Sequence, residues 1–139
     1  MVTTSLSTAE RSQLLDAARQ AVSRAYAPYS HFRVGAAVLT AAGNIYTGVN
    51  VENASYGLTI CAERSAIFTA VAREGPGMRL KAMAVASEHP GPCPPCGACR
   101  QVIFEFGPEA VVIFQGQDGL EEVPIARLLP GAFSLEAPI

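Results

Sequence analysis

Apolar residues return every three or four positions at Leu14, Ala18, Ala21 and Ala25, and the stretch before them is polar. That period is helical; Ser7 followed by Glu10 supplies a capping box to start it, and Pro28 stops it. The pattern predicts a first helix over residues 8 to 26. Arg33 to Thr40 and Ile45 to Asn50 then read as two strands, with Ala41-Ala42-Gly43-Asn44 as the turn of a hairpin. Helical composition returns from Cys61 to Glu74, where Ala62, Ala66, Ala70 and Val71 form a packing face and Gly75-Pro76-Gly77 ends it. Leu80 to Ser87 reads as a buried strand, and His89 to Pro95 is too rich in proline and glycine for a regular element. A helix opened by Cys96 and Cys99 runs through Phe106 to Gly107-Pro108, and Ala110 to Phe114 is a continuous apolar strand. A short strand near Val123 and a turn of helix near Arg127 complete the order. Hairpin, helix, strand, helix, strand is the order of a mixed sheet covered on both faces, so the predicted class is α/β, a three-layer α-β-α domain.

Length and composition narrow this picture. A chain of 139 residues is long enough for one domain, 1–139, with a real core and no internal repeat. Half of the residues are hydrophobic and 16% are charged, which suits a filled interior or apolar surface covered by another subunit. With a net charge of -2 and no run of Lys or Arg, a nucleic-acid partner is not expected. Met1 to Glu10 lacks the basic and apolar regions of a signal peptide, and no apolar run approaches the roughly 20 residues that span a bilayer. The expected location is therefore the cytoplasm, with no membrane partner.

Four cysteines in such a chain point to a metal or to catalysis rather than to disulfides. Cys96 and Cys99 are three apart near a helix start, so both can reach one ion, and Cys61 comes from the mouth of the other helix. Unpaired backbone N–H groups and the positive end of each helix dipole favour thiolate there. Three ligands leave the fourth position of a tetrahedral zinc open, the arrangement of catalytic rather than structural zinc. Glu63 lies about 200° around the helix from Cys61 at roughly 3.6 residues per turn, so it is not expected to bind the metal beside it. An acid that misses the metal yet stays close to it can take a proton from zinc-bound water, whose pKa is about 7. Three thiolates leave the site negative, and Arg64 can withdraw charge by hydrogen bonding to cysteine sulfur.

Cys93 complicates the count of ligands, because Cys93, Cys96 and Cys99 with Cys61 would close a structural site of four thiolates. The Cys-x-x-Cys pairs also suit dithiol exchange. His31 and His89 have no ligand spacing to the cysteines. Phe32 and Phe133 alone would be read as core aromatics, and Asn50 and Glu52, two apart on a strand, share a face and can reach one ligand.

Cys61-Ala62-Glu63 together with Pro95-Cys96-Gly97-Ala98-Cys99 resembles the signature of the zinc-dependent nucleoside and nucleobase deaminases. Tyr29 to Ala37, Gly48 to Gly57, and Leu128 to Phe133 are similar to segments of the short, homotetrameric cytidine deaminases, so the resemblance covers most of the chain. It implies one zinc per subunit and hydrolysis of cytidine and deoxycytidine to uridine and deoxyuridine plus ammonia, a pyrimidine-salvage reaction. Zinc-bound hydroxide would attack C4 while Glu63 moves protons to N3 and to the departing amine. The resemblance further implies that Asn50 and Glu52 hold the ribose, that Phe32 packs on the base and that Val34 lines the pocket. Backbone groups at Ala62 and beside Cys61 would meet the pyrimidine edge. Ala54, Tyr56 and Phe133 would reach a neighbouring subunit's pocket, making a homotetramer with shared active sites, and Gln101 would fix the metal site by hydrogen bonding. The family uses only the cysteine pair after proline, which makes Cys93 a spare thiol. A deaminase of a cytosine-bearing nucleoside antibiotic is the alternative enzyme.

Overall fold

The computed structural model describes residues 5–135. Helix α1 (Thr8–Ala21) starts as the pattern requires: Ser7 Oγ accepts from the Glu10 amide and the Glu10 carboxylate accepts from the Ser7 amide, each at 3.0 Å. Satisfying these two otherwise unpaired donors stabilises a helix start by about 1 kcal/mol. The helix stops short of residue 26. Val22–Arg24 tightens into a 3-10 turn, Ala25 is extended, and Tyr26 forms an isolated parallel bridge with Val51. The Tyr26 amide bonds the Asn50 carbonyl at 3.0 Å, so the sheet claims residues that local helical periodicity assigned to the helix.

Strands β1 (Val34–Thr40) and β2 (Ile45–Val49) form the expected antiparallel hairpin, turning at Gly43 with φ +90. Helix α2 (Ala62–Glu74), β3 (Leu80–Ser87), α3 (Gly97–Phe106), β4 (Val111–Gly116), β5 (Gly119–Pro124) and the single turn α4 (Ile125–Leu128) follow. The sheet order is β2-β1-β3-β4-β5, with β3 and β4 parallel and every other pair antiparallel. Side chains alternate along β1. Ala37 and Leu39 pack with Leu14 and Ala18 of α1, whereas Ala36 and Val38 pack with Ala66 and Ile67 of α2 and Ile103 of α3. The molecule is the three-layer α/β fold with a mixed central sheet that the sequence implied.

Strand β5 is longer than the short segment expected near Val123, because it pairs along β4 from Gly116 opposite Gly119 to Val111 opposite Pro124. As an edge strand carrying exposed Leu120, Glu121 and Glu122, it shows no apolar alternation. Glu122 also accepts from Arg11 Nε at 2.6 Å, which ties the edge to α1.

One close approach positions the site. A Cβ on Gly48 would lie 2.2 Å from the Ala66 amide, so only glycine lets β2 and α2 meet this closely. The start of α2 is thereby pressed onto the hairpin, while α3 begins in the connection leaving the carboxyl end of β3. Crevices outside the carboxyl ends of parallel strands are where such sheets bind ligands.

Candidate metal centre and active site

Cys61 is the N-cap of α2 and Cys96 the N-cap of α3, both with extended backbone, and neither sulfur caps its own helix. The sulfurs are thus left free to converge. With Cys99 from the first turn of α3 they form a cluster whose ligand atoms all lie within 4.8 Å of one another. Cys61 Sγ and Cys96 Sγ are 3.8 Å apart. A tetrahedral zinc with Zn–S bonds of ~2.3 Å places its sulfurs ~3.8 Å from each other, so the donor set fits zinc in both chemistry and spacing.

The charges point the same way. Hydrogen bonding from Cys99, then from Arg64 and Cys96, brings the Cys61 thiol down to about 5 against the cost of burial. Cys99 is pushed up because it donates to Cys61 and is buried beside Glu63. A dication would replace the protons these sulfurs share. Arg64 Nη2 stands 3.4 Å from Cys61 Sγ, and this contact raises the guanidinium above its usual range. Arg64 thus stands where its charge faces the Cys61 sulfur, while its buried Nε has no partner among the described residues.

Glu63 is 5% exposed, one of two buried polar side chains among the described residues. Burial pushes its carboxyl up to about 7, and the neighbouring Cys61 charge adds to the shift. Glu63 lies outside the three-sulfur cluster but borders the same cavity of about 290 Å³. A carboxyl held near neutrality can both accept and release a proton.

Four of the proposed substrate residues line that cavity: Phe32, Val34, Asn50 and Ala62. Glu52 and Tyr56 line an adjoining hollow with Tyr29 and Ser30, and Thr59 belongs to both spaces. Thr59, Pro92 and Pro94 are wall residues that no motif announced, and Cys93 joins them in the wall. Ala54 is exposed and borders neither space, Tyr56 is 81% exposed and Phe133 67% exposed. The Gln101 amide donates to the Phe133 carbonyl at 3.0 Å, so its described bond holds the C-terminal segment rather than a metal ligand.

Asn50 and Glu52 also do structural work that sequence reasoning missed. Asn50 Oδ1 accepts from the Val34 amide at 2.9 Å and its Nδ2 donates to the Phe32 carbonyl at 2.8 Å. The Glu52 carboxylate accepts from the amides of Tyr29 and Ser30 at 2.9 and 3.1 Å and from the Ser30 hydroxyl. These bonds, the Ser30 hydroxyl foremost, hold the Glu52 carboxyl below its usual range. Between the two clamps His31 has φ 58, a left-handed turn that aims Phe32 back at the site.

Cys93 lies outside the sulfur cluster. Burial, reinforced by the Glu63 charge, pushes its thiol up to about 11, away from the thiolate a metal requires. It is a wall of the cavity rather than a fourth ligand.

Residues 8–115 match the family model described as the cytidine and deoxycytidylate deaminase zinc-binding region. The chain belongs to the cytidine deaminase family. The cytidine deaminase of Halalkalibacterium halodurans is 47% identical over 130 residues, covering 91% of this chain and 96% of that one. A crystal structure of cytidine deaminase from Burkholderia pseudomallei superposes with TM-score 0.80 at 49% identity, covering 88% of this chain and 98% of that one. The blasticidin-S deaminase of Bacillus cereus is more distant, 30% identical over 127 residues, with 85% and 88% coverage. The three clustered sulfurs can accordingly hold the zinc of a deaminase-type hydrolase, and neither the structural four-thiolate site nor dithiol exchange accounts for the buried Glu63 beside them.

Proposed function

We propose that the whole chain is one catalytic domain that hydrolyses cytidine and deoxycytidine to uridine and deoxyuridine, releasing ammonia. The observation that carries this reading is a buried Glu63, its carboxyl pushed up to about 7, beside a three-thiol cluster and bordering a cavity that Phe32 also lines. When bound by Cys61, Cys96 and Cys99, zinc supplies the Lewis acidity that makes water a nucleophile near neutral pH. Glu63 takes a proton from the attacking water and passes it to N3 of the pyrimidine; it then takes the remaining proton from the C4 hydroxyl and delivers it to the amino group, so that the C4–N bond breaks, ammonia leaves and the C4 carbonyl forms. Phe32 and Val34 pack against the base, and backbone groups at Cys61 and Ala62 meet its polar edge. Asn50 from the cavity itself and Glu52 from the adjoining hollow reach the ribose while holding the loop that carries Phe32.

Ala54, Tyr56 and Phe133 complete a neighbouring subunit's pocket in a homotetramer; the exposure of Tyr56 and Phe133 on a single chain supports this, because large exposed aromatics favour burial. Gln101 steadies the Phe133 segment for that contact. No helix among the described residues is long and apolar enough to cross a membrane, which accords with action on nucleosides in the cytoplasm. The test is loss of ultraviolet absorbance with cytidine, deoxycytidine and blasticidin S, with zinc measured on the same sample. Turnover of both nucleosides at one zinc per subunit is expected; turnover of the antibiotic alone would overturn the substrate assignment.

A further inference from the structure

We infer that His89 is a positioning residue for Phe32, acting from behind the ring to fix the wall of the base pocket. The inference rests on the reading that Phe32 packs on the pyrimidine. The backbone of Phe32 is already held on both sides: its amide donates to Ser30 Oγ at 3.0 Å and its carbonyl accepts from Asn50 Nδ2 at 2.8 Å. Neither bond restrains the ring. Phe32 stands on the left-handed turn at His31, just before β1, where a half-buried aromatic has several rotamers open to it.

His89 closes that freedom. Its imidazole stacks on the Phe32 ring with centroids 4.2 Å apart and planes 8° from parallel. The imidazole is itself anchored, with Nε2 3.3 Å from the His31 carbonyl, and the backbone amide of His89 donates to Ser87 Oγ at 3.1 Å. The neighbouring Glu88 makes a two-pronged ion pair with Arg33, 2.8 Å at Nε and 2.7 Å at Nη2. The segment after β3 thus grips His31, Phe32 and Arg33 in turn. Phe32 borders the reaction cavity but His89 does not; His89 lines a separate hollow of about 190 Å³ with Arg19, Ser87 and Gln115. One face of Phe32 is occupied by His89, and the ring meets the cavity with its remaining surface. A side chain placed this way changes how well the base is held without touching the reacting atoms.

The test compares the parent zinc enzyme with His89→Ala, His89→Phe, Phe32→Ala and the double alanine variant, measuring KM and kcat for cytidine together with zinc content. An aromatic stack of this kind corresponds to about a threefold to tenfold rise in KM for His89→Ala, with kcat and zinc little changed. His89→Phe keeps the stack and is expected to restore most of the lost affinity. In the Phe32→Ala background, His89→Ala is expected to add nothing. A raised KM in Phe32→Ala with none in His89→Ala would overturn the role of His89 and leave that of Phe32. An effect of His89→Ala that persists without Phe32 would also overturn it, since the residue would then act elsewhere. An unchanged KM in Phe32→Ala would remove the contact between Phe32 and the base, and the inference with it.

Discussion

The two walls of the cavity are built by different means. On the metal side, Cys61, Cys96 and Cys99 ride on the first turns of two helices, α2 pressed into the core by Ala62, Ala66, Ile67 and Ala70 and α3 by Ile103. Their positions follow from backbone geometry that is nearly the same in every helix start. On the proposed substrate side, Phe32 sits in irregular chain between α1 and β1 and Val34 is the first residue of β1, and polar bonds from Asn50 and Glu52 hold this stretch across 16 to 23 residues of sequence. The first wall is fixed by packing and the second by a few replaceable hydrogen bonds. Damage to the first should abolish the site, and damage to the second should loosen it.

Cys96→Ser probes the first wall and carries the largest expected effect. It removes one of three sulfurs, so zinc content should fall steeply and turnover with it. Zinc retained at full occupancy, measured by metal analysis, would mean that another residue completes the set. Asn50→Ala probes the second wall. It leaves the Val34 amide and the Phe32 carbonyl without their partner, a loss of about 1–3 kcal/mol where such groups are buried. Zinc should stay, KM for cytidine should rise, and thermal unfolding should shift down by several degrees; loss of zinc would show that the two walls are not independent. Cys93→Ser should change least, with zinc content and kcat retained, because the thiol is a protonated wall group outside the cluster. Loss of both would restore it as a ligand.

The same division decides what the amino-acid sequence reveals on its own. Cys61, Glu63, Cys96 and Cys99 are legible because a short motif on a helix start carries its own geometry. The hairpin, α2, β3 and α3 are legible because their apolar periods agree with the tertiary burial. The end of α1 is not, since the bridge from Tyr26 to Val51 is made with chain 25 residues away. Nor is β5, whose pairing with β4 overrides a polar edge sequence. Asn50 and Glu52 could be named as a pair sharing a face, but their bonds to the Tyr29–Val34 loop depend on how the loop folds back. Thr59, Pro92 and His89 reach the site or its surroundings only through the tertiary fold, so no local signal marked them.

In the proposed mechanism Glu63 moves protons beside the zinc without binding it. That division of labour is tested most directly by the kcat of Glu63→Gln for cytidine, taken with zinc content on the same preparation. Glutamine keeps the shape and a hydrogen-bonding carbonyl but cannot exchange a proton, so full zinc with kcat reduced by about 10²- to 10⁴-fold or more is expected. Full zinc with near-parental kcat, or loss of zinc together with activity, would contradict it.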